Sequence, residues 1–315
     1  MHRTGGSTAA GRDHGPAAAF RRGRIRRRSA GAVVLAMLFT VAPPAPAQGL
    51  GLRIEAGFTH DDNVTRGRKG GPDIRLDQSY GVNVTKSWVV PVSARTRLSL
   101  SAAVGGEKFV RYEGLSRAGY TLSSSYQFRP SGDYMAPTYS VFARWSADYF
   151  DSSLRDGYRA AAGISVRKPL TDRIQFSVTG QYNRRDGRST VFDGSDWSGR
   201  FNVDYTVFNR DTLYFGAEYR RGDVVSVGTP QLPLIDIAKS LVQDDVFTDA
   251  TRFAYRISAN TYIATLGYNW PFGNRHSLDL SWRWIQSTPR ETSRYYNGDI
   301  RYNVNQVSLA YLVRF

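Results

Sequence analysis

His60-Asp61-Asp62-Asn63 is the stretch whose residue types and spacing come nearest to a reactive site. An imidazole beside a carboxylate can act as a general base, so a hydrolase centred on His60 is one chemistry on offer. Asp61 and Asp62 together are also a weak divalent-cation site. The simpler account is a loop start whose Asx side chains bond their own backbone, which needs no catalytic partner. His2 and His14 fall in a basic leader, and His276 falls in an expected turn where solvation explains it. No second Asp/His pair accompanies His60. The absence of cysteine excludes a thiolate metal site, a cysteine nucleophile and a disulfide scaffold, and no cofactor is expected.

Arginine is the second chemical resource. Arg53, Arg97, Arg144, Arg159, Arg167, Arg200, Arg220, Arg283 and Arg314 stand on the polar side of alternating segments, against Glu55, Asp148, Asp204, Glu218 and Asp279. A wall of guanidinium forks among Ser, Thr, Asn and Gln concentrates anions and matches carboxylate or phosphate. Arg144, Arg159, Arg200, Arg220 and Arg283, with Glu218 and Asp204, are the expected contacts along such a wall. The competing outcome is that opposite charges pair across the interior and close it.

These residues are placed by one recurring device. Segments of about ten residues alternate apolar and polar positions, the signature of strands with one apolar and one polar face. Tyr139, Val141, Ala143, Trp145, Ala147 and Tyr149 alternate with Ser140, Phe142, Arg144, Ser146 and Asp148; Leu278, Leu280, Trp282 and Trp284 alternate with Asp279, Ser281 and Arg283. About 12 such segments start near residues 50, 76, 96, 119, 138, 157, 173, 196, 211, 256, 277 and 304. In the tenth the phase slips between Ile257 and Tyr262, which predicts a bulge. Connections after even segments are mostly tight, such as 169–172 and 209–210, whereas those after odd segments are longer, up to 223–255. Short turns at one end, long loops at the other and an even strand number describe an antiparallel, up-and-down transmembrane β-barrel. Aromatic residues at segment ends on the apolar face (Trp88, Phe128, Tyr149, Tyr158, Trp197, Tyr219, Trp270, Phe315) fit interfacial girdles better than a soluble sandwich. Within 223–255, Leu234 to Val242 read as a short amphipathic helix, in a loop whose length and apolar content predict packing into or over the barrel mouth.

Net charge first suggests a nucleic-acid partner, since the 315 residues carry a formal +15. Residues 1–47 hold eight arginines and one acid, followed by the apolar run Ala30–Ala42 and an Ala-Pro-Ala ending at Ala47. A basic start, a short apolar run and small residues at the end predict a signal peptide cleaved near Ala47, leaving residues 48–315 as the barrel domain. The leader takes most of the excess charge with it, and no nucleic acid is expected.

The ending Val-Ser-Leu-Ala-Tyr-Leu-Val-Arg-Phe, residues 307–315, resembles the C-terminal signal of Gram-negative outer-membrane β-barrel proteins. That resemblance implies that Phe315, Val313 and Tyr311 are read by the barrel assembly machinery, and that lipid and lipopolysaccharide surround the chain. The stretch from Gly57 to Val64 is similar to the first hairpin of β-barrel porins and, more weakly, of surface lipoprotein assembly modifier barrels, though no helical repeat region precedes the barrel here. The resulting expectation is a bacterial outer-membrane channel, porin-like, passing small or oligomeric solutes with modest anion preference. Assistance in surface lipoprotein or polysaccharide export is the first alternative, and an outer-membrane hydrolase is the second.

Overall fold

A computed structural model describes residues 51–208, 210–247, 251–296 and 300–315. The expected signal peptide and its cleavage near Ala47 therefore lie outside the described residues. Twelve strands close into an antiparallel barrel, each paired with its neighbour in sequence. They are β1 (Leu52–Asp61), β2 (Asp77–Ser93), β3 (Thr96–Phe109), β4 (Arg117–Phe128), β5 (Thr138–Phe150), β6 (Gly157–Pro169), β7 (Ile174–Gly187), β8 (Gly194–Thr206), β9 (Thr212–Gly228), β11 (Phe253–Phe272), β12 (His276–Pro289) and β13 (Tyr302–Arg314). A helix α1 (Leu232–Ile237) and a thirteenth strand β10 (Ala238–Gln243) interrupt the sequence between β9 and β11. Closure comes from β1 on β13, running from Arg53 opposite Arg314 to Asp61 opposite Gln306.

Alternation explains the closure. Each strand has one face too apolar for water, and each edge would leave backbone groups unpaired in lipid, so only a closed barrel satisfies both. The outer face carries Leu100, Leu122, Val141, Ile164, Val178, Phe201, Phe215, Leu266, Leu280 and Leu309, all exposed. Such a belt is accommodated by lipid rather than water. It is bounded at the loop end by Tyr149, Tyr158, Trp197 and Tyr219, and at the turn end by Phe128, Trp270, Phe272, Tyr311 and Phe315.

The expected bulge in the tenth segment is absent. β11 pairs with β9 without interruption from Phe253 opposite Gly228 to Asn269 opposite Thr212. What slips is the chemistry of the faces. Tyr255 and Ile257 share the lumen-facing parity of Thr261 and Ile263, and they are fully buried because loops pack on them above the belt. The predicted helix over Leu234 to Val242 is also corrected. Only its first half is helical; from Ala238 the chain pairs with the edge of β11 that β12 leaves vacant, since β12 ends at Pro289 opposite Ala259. An unpaired edge of that kind is a ready template for another strand.

The apolar core therefore sits at the mouth. Leu234, Ile237, Tyr255, Ile257, Ile300 and Tyr302 form one cluster. Val191, Phe192, Val227, Val246, Phe247 and Ala254 form a second.

Candidate functional site

The lumen begins as the polar parity of each strand. Its loop-end chamber, about 800 Å³, is lined by Arg144, Arg159, Arg200, Arg220 and Arg283, together with Arg66 and Arg185. A second chamber of about 550 Å³ lies toward the turn end, walled by Ser87, Ser99, Ser101, Ser123 and Ser125 with Arg97 and Arg167. Arg144, Gln181 and Arg200 belong to both walls, so they form the waist where the chambers meet.

Pairing decides how much positive charge is left over. Arg200 donates to Glu218 Oε2 through Nε at 2.9 Å and Nη2 at 2.6 Å, and Arg220 donates to Oε1 of the same carboxylate. Arg200 and Glu218 are direct cross-strand partners on β8 and β9. Two arginines thus share one acid. Arg159 pairs with Asp148 at 2.7 Å, and Arg117 divides between Glu107 at 3.0 Å and Asp148 at 3.7 Å. Among the described residues, Arg144 and Arg283 have no acid within ion-pair distance. Asp204 stands on the lumen parity of β8, four residues beyond Arg200 toward the turn end, and lines neither chamber. Asp279 accepts the Tyr214 hydroxyl at 2.8 Å, with the Tyr214 ring laid across Gly267; a Cβ there would lie 2.2 Å from Tyr214 Cζ.

The loop end is narrowed by two segments. Residues 62–76, after β1, reach β9: Val227 N donates to Thr65 O at 2.8 Å, and the Ser226 hydroxyl donates to Arg66 O at 2.8 Å. Arg66 adopts φ 54° to make that turn and is anchored by Asp61 at 2.8 Å. The second segment, Asp244–Phe247, runs from β10 to the loops after β3 and β5. Asp244, its carboxylate fully buried, accepts from Arg155 Nη2; Asp245 accepts from the Ser152 hydroxyl; Phe247 packs on Tyr112 at 4.6 Å between ring centroids. We call this segment the strap.

The His60 region does not assemble a dyad. His60 has the outer parity of β1 and Asp61 the lumen parity. Asp61 accepts from Asn63 N at 2.8 Å, an Asx turn, and from Gln306 Nε2 at 2.7 Å; Asp62 accepts from Asn305 N and Nδ2, both at 2.8 Å. His276, expected as a solvated turn residue, starts β12 instead; its Nδ1 lies 2.7 Å from the Tyr311 hydroxyl, and its ring stacks with Phe272 and Tyr311. Tyr311, Val313 and Phe315 share the outward parity of β13, where Tyr311 and Phe315 are exposed.

Arg185, Arg66 and Arg117 were missed by sequence reasoning because they lie in segments that read as loops. The signal was present for Arg185: the polar parity of β7 runs on through Gln181, Asn183 and Arg185.

No family model and no curated protein matches the sequence. Among solved structures, the chain is similar to an outer membrane channel from Pseudomonas putida, at 12% identity and a TM-score of 0.50, covering 87% of this chain and 100% of that one. It is also similar to the KdgM porin in complex with disordered oligogalacturonate (12% identity, TM-score 0.45, 84% and 99% covered). The NanC porin compares at 10% identity and a TM-score of 0.44, with 84% and 99% covered. The comparison with the Pseudomonas putida channel agrees with the strand order in showing a transmembrane β-barrel of the outer-membrane type.

Proposed function

We propose that the chain is a bacterial outer-membrane channel for small solutes, with a preference for anions and a strap across its loop-end mouth. The observation that carries this reading is the arginine balance of the lumen: Glu218 serves both Arg200 and Arg220, while Arg144 and Arg283 have no acid partner among the described residues. Unpaired guanidinium groups facing a water-filled chamber attract anions and repel cations. The fold likeness to a channel is compatible with this reading, and the polar walls of both chambers support passage of hydrated solutes rather than a dry core. The lipid and lipopolysaccharide around the apolar belt, and barrel assembly through the last strand, are part of the same proposal.

Planar-bilayer recording of the purified barrel is the test. Discrete conductance steps are expected, larger after residues 229–252 are replaced by a short Gly-Ser turn. A barrel that carries no current in either form contradicts the channel reading.

A further inference from the structure

The loop end of the lumen contains an arginine with an arrangement of its own. Arg185 lies between two aromatic rings, its guanidinium 5.7 Å from the centroids of both Phe150 and Phe192. Each ring carries another guanidinium: Arg117 at 5.9 Å on Phe150 and Arg155 at 4.6 Å on Phe192. Arg185 Nη2 donates to the Arg155 carbonyl at 3.0 Å, which fixes the rotation of the plane.

The other guanidinium groups of this cluster are neutralised. Arg155 has Asp244, Arg117 has Glu107, and Arg159, the direct cross-strand partner of Arg185, has Asp148. Asp148 is engaged by both Arg159 and Arg117. Among the described residues Arg185 has no acid of its own, and it lines the loop-end chamber. Aromatic contacts on a guanidinium leave its edge donors available, and a forked edge held in a fixed plane matches an oxyanion better than a mobile ammonium does.

We propose that Arg185 is an oxyanion-docking residue at the loop end of the lumen, taking one carboxylate, sulfate or phosphate group of a solute. Phe150 and Phe192 are its positioning residues. This deepens the channel reading and rests on it for the biological role, but binding can be measured without any current.

The experiment is calorimetry of the folded barrel in detergent with inorganic phosphate, and separately with acetate, the folded fraction being verified by heat-modifiable gel migration. Both probes are expected to bind the unaltered barrel. Arg185→Gln should raise the dissociation constant at least about tenfold, as expected for losing a hydrogen bond to a charged group. Arg185→Lys should fall between the two, and Lys168→Gln, on the outer face of β6, should match the unaltered barrel. Unchanged affinity in Arg185→Gln, or an equal loss in Lys168→Gln, overturns the proposal. If Arg185→Gln does not fold, Arg185→Lys decides, with unchanged affinity again overturning it. A barrel that binds phosphate through Arg185 yet carries no current supports the docking site and removes the channel.

Discussion

Glu218 holds two guanidinium groups in check, so its charge sets how many arginines the lumen presents to a solute. Glu218→Gln keeps the shape and removes the charge, and anion selectivity measured from reversal potentials should rise. Arg144→Ser should do the opposite, because Arg144 stands at the waist shared by both chambers. Equal selectivity in the two variants would exclude both residues from control of the pore. Packing is equally local at Gly267, where the Tyr214 ring covers the strand and reaches Asp279. Gly267→Val should expel that ring and destabilise the barrel by about 1–3 kcal/mol, read as a lower urea midpoint. The parity of each arginine was legible in the sequence, since period two assigns faces without further information. Which acid neutralises which arginine was not: Arg200 meets Glu218 only through the register of β8 on β9, which alternation does not specify.

At the scale of elements, the strap and the hairpin bearing it set the mouth. An added Cβ at Gly114 would stand 3.3 Å from Val246 Cβ, near the spacing a disulfide requires, and no native cysteine competes. Gly114→Cys with Val246→Cys should cross-link the strap and lower conductance, with recovery on reduction. A cross-linked barrel conducting like the reduced one would show that the strap does not limit flow. Asp244→Ala strands Arg155 without its buried partner and should weaken strap docking by about 3 kcal/mol, seen as faster proteolysis within the strap.

Helix α1 is tied to the loop after β12 through Asp236, which accepts from Arg294 N and Nη2. Those contacts hold the Asp236 carboxyl below its ordinary range, the Arg294 backbone N–H contributing most. A depressed folded-state value means the tether is intact above the unfolded value of about 3.9. It is lost as pH falls through the folded one, so hydrogen exchange in α1 should accelerate only in that acid range. Strand starts were readable to within a few residues, as at Thr138 and Gly157. β10 was not, because Ala238–Gln243 has period two over only six residues and gains its partner from an edge the sequence does not reveal.

For the whole molecule, the apolar belt, the paired edges and the polar lumen are consequences of one alternating pattern. The belt suits a lipid surrounding, and in the proposed function the arginine balance sets what the lumen favours. Net charge over the chain says less than the distribution: +7 of the +15 sits in residues 1–47, and within the wall acids neutralise some arginines while others are left without one among the described residues. The reversal potential of the purified barrel in a planar bilayer under a potassium chloride gradient reads the charge preference of the lumen itself. A potential displaced toward the chloride equilibrium value, and less so in Arg144→Ser, is expected; a potential displaced toward the potassium value would contradict the anion preference.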